Sequence, residues 1–266
     1  MSAELTIMDG GMGGELIRRG FPSGGLWSAK ALLEKPEVVR AVHEDYVDAG
    51  AQVIITNSYS TVPSYLAKEN MEARYVELTG IAARLAREVA DAAATEVKVA
   101  GCVPPLSESY RPDLVPPDDE ARPIYAEIVK ALATDVDLYI CETMSSVREA
   151  VNAASSVRLT DPDKPLWVAM TLAEQPGGGL RSSEGMAQVV AALEPYAVDA
   201  FLFNCTDPNA ISVALEELAP LTNTPTGAYP NRFHVPPGWT LDNEIQTEPT
   251  EMSVEDYLGF VATWRR

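Results

Sequence analysis

The sequence predicts an α/β fold in which repeated strand–helix units surround a parallel sheet. Three observations predict it. Short apolar, β-branched runs alternate with longer stretches of helical period. The two kinds of segment occur in matching number, seven of each. Most of the apolar runs end in polar or glycine residues that open a loop, and in a parallel barrel those ends share the rim where barrel enzymes keep their chemistry.

The first apolar run, 5–8, ends at Asp9-Gly10-Gly11. A helical pattern at 36–49, with proline in its first turn, leads to the run 52–56 and then Asn57. The pattern 71–94 leads to 97–102, which closes on Gly101-Cys102. The acidic Asp118-Asp119-Glu120 reads as the solvated start of the helix 119–134, followed by the run 138–141 and Glu142-Thr143. The helix 146–157 precedes the run 166–172, and the glycines 177–179 read as a mobile loop, a candidate lid, before the pattern 183–195. The run 200–203 opens onto Asn204-Cys205, and the helix 208–219 leads to 226–229 and Pro230-Asn231. A last helical pattern spans 253–264.

A closed barrel of this kind takes eight strands, so the eighth is expected to be missing from these residues. An open seam would expose strand edges and favour a partner such as a second copy of the chain. The proline-rich stretches 104–117 and 230–249 read as long rim loops. With no fixed-period repeat and no break in composition, a single domain over residues 1–266 is expected.

Composition narrows the function classes. Hydrophobic residues make up 46% and charged residues 22%, which excludes collagen-like, coiled-coil and mostly disordered chains. Thirty-nine acidic against twenty basic residues give a net charge of -19, so nucleic acid and anionic membrane are disfavoured as partners. The start, MSAELTIMDGG, has no signal-peptide layout, and no apolar stretch reaches membrane-spanning length, so a cytoplasmic protein is expected. Cys102, Cys141 and Cys205 are too few and too scattered for a disulfide framework.

The glycine-rich turn at Asp9–Glu15 fits neither a dinucleotide fingerprint nor a P-loop, since neither glycine spacing is met. It offers free N–H groups beside a carboxylate, suited to the two ends of an amino acid; otherwise Asp9 only caps the next helix. Glu142, after an apolar run, is a candidate ammonium ligand or base, or else an acid at a helix start. Cys205, at a strand's carboxyl end, is placed to act as thiolate ligand or nucleophile; otherwise it is a small buried apolar residue. Cys102 is a weaker rim candidate, and Cys141 is expected to pack within its strand. His43 and His234 belong to no sequence-local metal motif, and His43 reads as surface or satisfied structure. There is no GxSxG elbow for serine hydrolysis.

Taken in order, several segments together resemble the homocysteine S-methyltransferase family. They are Met8-Asp9-Gly10-Gly11-Met12-Gly13-Gly14-Glu15-Leu16 with Arg18-Arg19-Gly20, Leu26-Trp27-Ser28-Ala29, His43-Glu44-Asp45-Tyr46 with Ala49-Gly50-Ala51, Ile55-Thr56-Asn57-Ser58-Tyr59, Ala100-Gly101, Glu142-Thr143 and Phe203-Asn204-Cys205. The resemblance implies a TIM barrel whose rim zinc is held by three cysteine thiolates and takes the substrate thiol as fourth ligand. The implied reaction moves a methyl group from a sulfonium or quaternary ammonium donor, such as S-methylmethionine or betaine, to homocysteine, giving methionine. Cys205 matches a zinc ligand, Asp9 and Glu142 match acids around the homocysteine amino group, and Gly10 matches a backbone contact. Asn57 and Asn204 would shape the substrate site, and Trp27 and Tyr59 would offer aromatic faces to the cationic donor.

The family's other two zinc ligands come from a Gly-Gly-Cys-Cys motif on the eighth strand, which is absent from these residues. One explanation covers both absences: the natural chain continues past Arg266. If it does not, Cys205 has at most Cys102 and Cys141 as thiolate partners. Two rivals therefore stand beside the methyltransferase: a zinc-free relative that binds a small amino acid, and a metal-free barrel enzyme using Glu142 as general base.

Overall fold

The computed structural model describes residues 5–21, 26, 28–240, 245 and 247–265. At its centre six parallel strands are hydrogen-bonded in sequence order. They are β1 (Val53–Ile55), β2 (Lys98–Val103), β3 (Leu138–Met144), β4 (Leu166–Met170), β5 (Ala200–Asn204) and β6 (Thr226–Tyr229). The helices that pack on this sheet are α3 (Pro36–Asp48), α5 (Tyr75–Ala92), α6 (Asp118–Leu132), α7 (Val147–Thr160), α8 (Met186–Leu193) and α9 (Pro208–Leu218), with α1 (Met12–Arg18), α2 (Ser28–Glu34), α4 (Pro63–Leu66) and α10 (Val254–Trp264) completing the set.

Alternation along the strands sends successive side chains to opposite faces. One face, with Ile54, Val99, Tyr139, Cys141, Val168, Phe201 and Phe203, packs with helix residues such as Ile128, Leu132, Val157 and Ile211. The other carries Val53, Ala100, Leu138, Ile140, Ala169, Ala200 and Leu202, which cluster with one another and with Met8, Ile55, Trp167 and Tyr229. Strand residues, with Met8 bridged to β1, fill this second cluster, so the sheet curls around it as a half-barrel. Burial on both faces is why the strands read as unbroken apolar runs rather than as alternating ones. Gly101 is required by close packing: a Cβ there would lie 3.1 Å from both Leu132 and Val136.

The structure corrects several expectations. Of the seven strands expected in an open barrel, six form a curled half-barrel among the described residues. The run 5–8 is reduced to one parallel bridge, Met8 to Val53. Leu5 and Ile7 are 43% and 51% exposed, so among the described residues this run lies at an open edge of the sheet. Asp9 N still donates to Val53 O at 2.9 Å, which ties the Asp9 turn to β1. The glycines 177–179 lie in a small hairpin, closed by an antiparallel bridge between Leu172 and Leu180. The rim stretch 230–249 carries a two-residue antiparallel ladder, β7 (Phe233–His234) with β8 (Glu248–Pro249).

β3 runs to Met144, further than expected, with a register shift between Cys141 and Met144. The irregularity falls at Thr143, a β-branched residue with φ of +61°. Just beyond it, α7 is capped by Ser146, whose hydroxyl accepts from Glu149 N at 3.2 Å. The Glu149 carboxylate, 3% exposed, accepts from Ser145 N and Ser145 Oγ, both at 2.7 Å.

Candidate active site

The inner face changes character at the carboxyl ends of the strands. Two residues beyond Ala100, Ile140 and Leu202 stand Cys102, Glu142 and Asn204, and β6 ends at Tyr229. Glu142, expected after its strand, is inside β3, so it caps no helix. Its Oε2 accepts from Cys102 Sγ at 3.0 Å and its Oε1 from Tyr229 Oη at 3.1 Å. Burial raises its pKa, against the two hydrogen bonds.

Asn204 is fully buried and links two backbone irregularities. Its Oδ1 accepts from Thr143 N at 3.1 Å, and its Nδ2 donates to Thr143 Oγ1 at 2.8 Å and to Cys205 Sγ at 3.3 Å. Cys205, like Thr143, has a left-handed backbone, with φ of +53°. Its N–H donates to Tyr229 O at 3.2 Å, and its carbonyl accepts from Thr171 Oγ1 at 3.3 Å. Two non-glycine residues in a strained region, fixed by one amide, mark a preorganised site. Burial, with Glu142 adding repulsion, pushes the Cys205 thiol up to about 11. Hydrogen bonds from Thr143 and Tyr110 pull the other way.

Asp9 does not cap α1, whose N-cap is Gly11 with no side-chain bond. Its Oδ2 accepts from Ile55 N at 2.9 Å, and its Oδ1 is buried with no hydrogen-bond partner among the described residues. Burial, and then repulsion from Glu142, hold the Asp9 carboxyl well above the usual range. The two acids therefore sense one another across the rim. Gly10 lies against Tyr46 of α3: a Cβ there would come within 2.7 Å of the Tyr46 hydroxyl.

Asn57 is 3% exposed and donates through Nδ2 to Ser28 O at 3.1 Å, so in this structure it anchors the start of α2. Tyr59 Oη pairs with Ser109 Oγ at 2.7 Å, and Trp27 lies outside the described residues. Cys141 is fully buried on the helix-side face, as expected of a packing residue.

Sequence reasoning missed three features. His43 is not at the surface: it is fully buried, with Nδ1 4.0 Å from Asp9 Oδ2. Tyr110 interacts with Cys205, its ring stacked under the Arg181 guanidinium at 4.9 Å and edge-on to Trp239 at 5.6 Å. Tyr229 completes the Glu142 carboxylate's hydrogen bonds. The strand-end rule points to Tyr229, the last residue of an apolar run; for Tyr110, inside an irregular loop, the sequence carries no comparable signal.

Zinc held by the protein takes thiolate, imidazole or carboxylate ligands, three of them when the fourth position is left for substrate. Among the described residues no three His, Cys, Asp or Glu side chains are arranged to hold a metal. Cys141 faces the helix layer, and Cys102 is engaged with Glu142. The donor set present does not fit the expected zinc; it supplies Cys205 alone. No helix among the described residues is long and apolar enough to cross a membrane.

The fold and the rim define a class: an α/β half-barrel with acid, amide and thiol side chains gathered at the carboxyl ends of its strands. The family profile described as homocysteine S-methyltransferase matches residues 6–265, and the chain belongs to that family. It is 33% identical over 244 residues to the homocysteine S-methyltransferase of Escherichia coli, covering 86% of this chain and 78% of that protein. It is 30% identical over 283 residues to homocysteine S-methyltransferase YbgG of Bacillus subtilis, covering 98% of this chain and 86% of that protein. The crystal structure of the metallated form of homocysteine methyltransferase MmuM from Escherichia coli superposes with a TM-score of 0.80 at 30% identity. The match covers 99% of this chain and 88% of that one.

Proposed function

We propose that this protein transfers a methyl group from a sulfonium or quaternary ammonium donor to the thiol of homocysteine, giving methionine. The observation that carries this reading is the pairing of two buried carboxyl groups, Asp9 and Glu142, beside the Cys205 thiol at one end of the sheet. Two carboxyl groups whose pKa values burial raises, with Glu142 adding repulsion at Asp9, suit a cation, and an amino acid's ammonium supplies both charge and N–H donors. Family membership over residues 6–265 supports the same substrate.

Asp9 and Glu142 would bind the homocysteine ammonium, with the Gly10 backbone beside its carboxylate. That places the substrate thiol toward Cys205 and the aromatic wall of Tyr59, Tyr110 and Tyr229, where a cationic donor finds favourable ring faces. In the transfer, the homocysteine sulfur attacks the methyl carbon in line. The new C–S bond forms as the donor's bond from methyl to sulfur or nitrogen breaks, its electron pair leaving with a neutral thioether or amine. The thiol proton passes to solvent. The protein's contribution is position and orientation, a large share of the barrier in such bimolecular steps. A TIM-type barrel belongs to this proposal, and so does the zinc that the family resemblance implies, for which Cys205 would be one ligand of three. Because a single thiolate does not make a zinc site, no step is assigned to the metal.

The test is methionine formation, read by mass spectrometry, from homocysteine with S-methylmethionine or betaine, alongside elemental analysis of bound zinc. Turnover that is abolished in Cys205→Ser and Glu142→Gln supports the reading. Full turnover in Cys205→Ser, or no methionine from either donor, overturns it. The incomplete thiolate set favours a second reading, a receptor for the amino acid without transfer. Homocysteine binding without methionine would select that one.

A further inference from the structure

α3 buries Val39, Val42 and His43, and a fully buried histidine is unusual unless its ring nitrogens are met. Those of His43 are not. Nδ1 and Nε2 have no hydrogen-bond partner among the described residues, and neither does Asp9 Oδ1. The charged group facing the ring is Asp9, with Oδ2 4.0 Å from Nδ1. Three buried, unmet polar atoms thus belong to two neighbouring side chains, one of them the acid at the glycine-rich turn. One helical turn further on, Tyr46 reaches Gly10, so α3 supports both halves of the Asp9-Gly10 pair.

We propose that His43 is a positioning residue that orients the Asp9 carboxylate toward the ammonium group of the amino-acid substrate. This rests on the functional reading above and deepens it. Asp9 Oδ2 is held by Ile55 N, which leaves Oδ1 for the ligand. Burial drives the His43 pKa down to about 4, so at neutral pH it is a neutral ring with one donor and one acceptor. When an ammonium takes Oδ1, an approach of about 1 Å brings His43 Nδ1–H to hydrogen-bonding distance of Oδ2 and fixes the carboxylate plane. The titratable groups facing Asp9 are His43 and Tyr46 from α3 and Glu142 from β3. None is a cation at neutral pH, so the ligand supplies the missing charge.

The test compares the full chain with His43→Leu and His43→Gln, varying homocysteine at saturating S-methylmethionine and measuring homocysteine binding by calorimetry. His43→Leu is expected to raise KM and Kd for homocysteine about tenfold, leave kcat within about threefold and leave KM for the donor unchanged. Its melting temperature should stay level or rise, because an aliphatic side chain leaves no buried nitrogen unmet. His43→Gln, which still donates, should recover most of the affinity. A histidine needed only for the fold would lower the melting temperature on replacement and leave the substrate-specific KM unchanged. Affinity for homocysteine within twofold of wild type in His43→Leu overturns the proposal; if that variant does not fold, His43→Met is read in its place. Wild-type protein that neither binds nor methylates homocysteine removes the functional reading, and this inference with it, a result distinct from an effect confined to the variants.

Discussion

Replacing Glu149 by glutamine should flatten the pH dependence of stability, and the size of the change follows from its surroundings. Glu149 sits in the first turn of α7, where burial pushes its pKa from 4.5 up to about 7, outweighing the hydrogen bonds from Ser145 N and Oγ and the nearby Arg148, which favour its charged form. A carboxyl whose folded pKa is raised contributes stability in full below pH 4.5, and that contribution is lost as the pH rises through 7. At about 1.4 kcal/mol per unit of pKa, the loss reaches up to about 3 kcal/mol by pH 8. Glutamine keeps an oxygen to accept from Ser145 N and Oγ but has no proton to lose. Urea unfolding at pH 4.5, 6 and 8 reads the difference: the two proteins should match at pH 4.5, and Glu149→Gln should be more stable at pH 8. Asp9 and Glu142, also raised by burial, slope the same way in both proteins and cancel in the comparison. Parallel pH profiles for wild type and variant would refute the reasoning.

Two further outcomes are expected. Asn204→Ala removes the bonds that hold Thr143 and Cys205 in left-handed conformations; it should cost about 2–4 kcal/mol of stability and at least about tenfold in kcat. A loss below about 1 kcal/mol in denaturant unfolding would contradict the role given to that amide. Gly10→Ala forces a methyl against the Tyr46 hydroxyl and should raise KM for homocysteine, while adding Tyr46→Phe removes the oxygen and relieves part of the defect. Equal defects in the single and double variants would show that the close approach is not the cause.

Much of the sheet was legible because each strand is buried on both faces and stands out as an apolar run. The runs at 97–102, 138–141, 200–203 and 226–229 coincide closely with β2, β3, β5 and β6. The run 5–8 misled because apolar residues also occur on an uncovered edge, where pairing has no partner to extend it. The carboxyl-end rule located Glu142, Asn204 and Cys205 on one rim, since strand polarity fixes which end is which. It misjudged Glu142's setting because a bulge at Thr143 is invisible to a period-two pattern. His43 was out of reach for a different reason: helical spacing places it on the buried face of α3, but only the fold brings Asp9, 34 residues earlier, against it. Asn57 shows the limit of position alone, because a rim asparagine can spend its amide on a neighbouring helix.

The Asn204 amide reaches across β4 to a residue 61 positions earlier in the chain. No local segment can make that connection. β3, β4 and β5 must all be aligned before the amide meets Thr143, so the strained geometry at residues 143 and 205 is completed late, once loop-closure costs over long separations have been met. An intermediate holding only the first half of the sheet would have helices and core but not the Cys205 thiol. The geometry around Cys205 is therefore a readout of finished folding, since its N–H also waits for the Tyr229 carbonyl of β6.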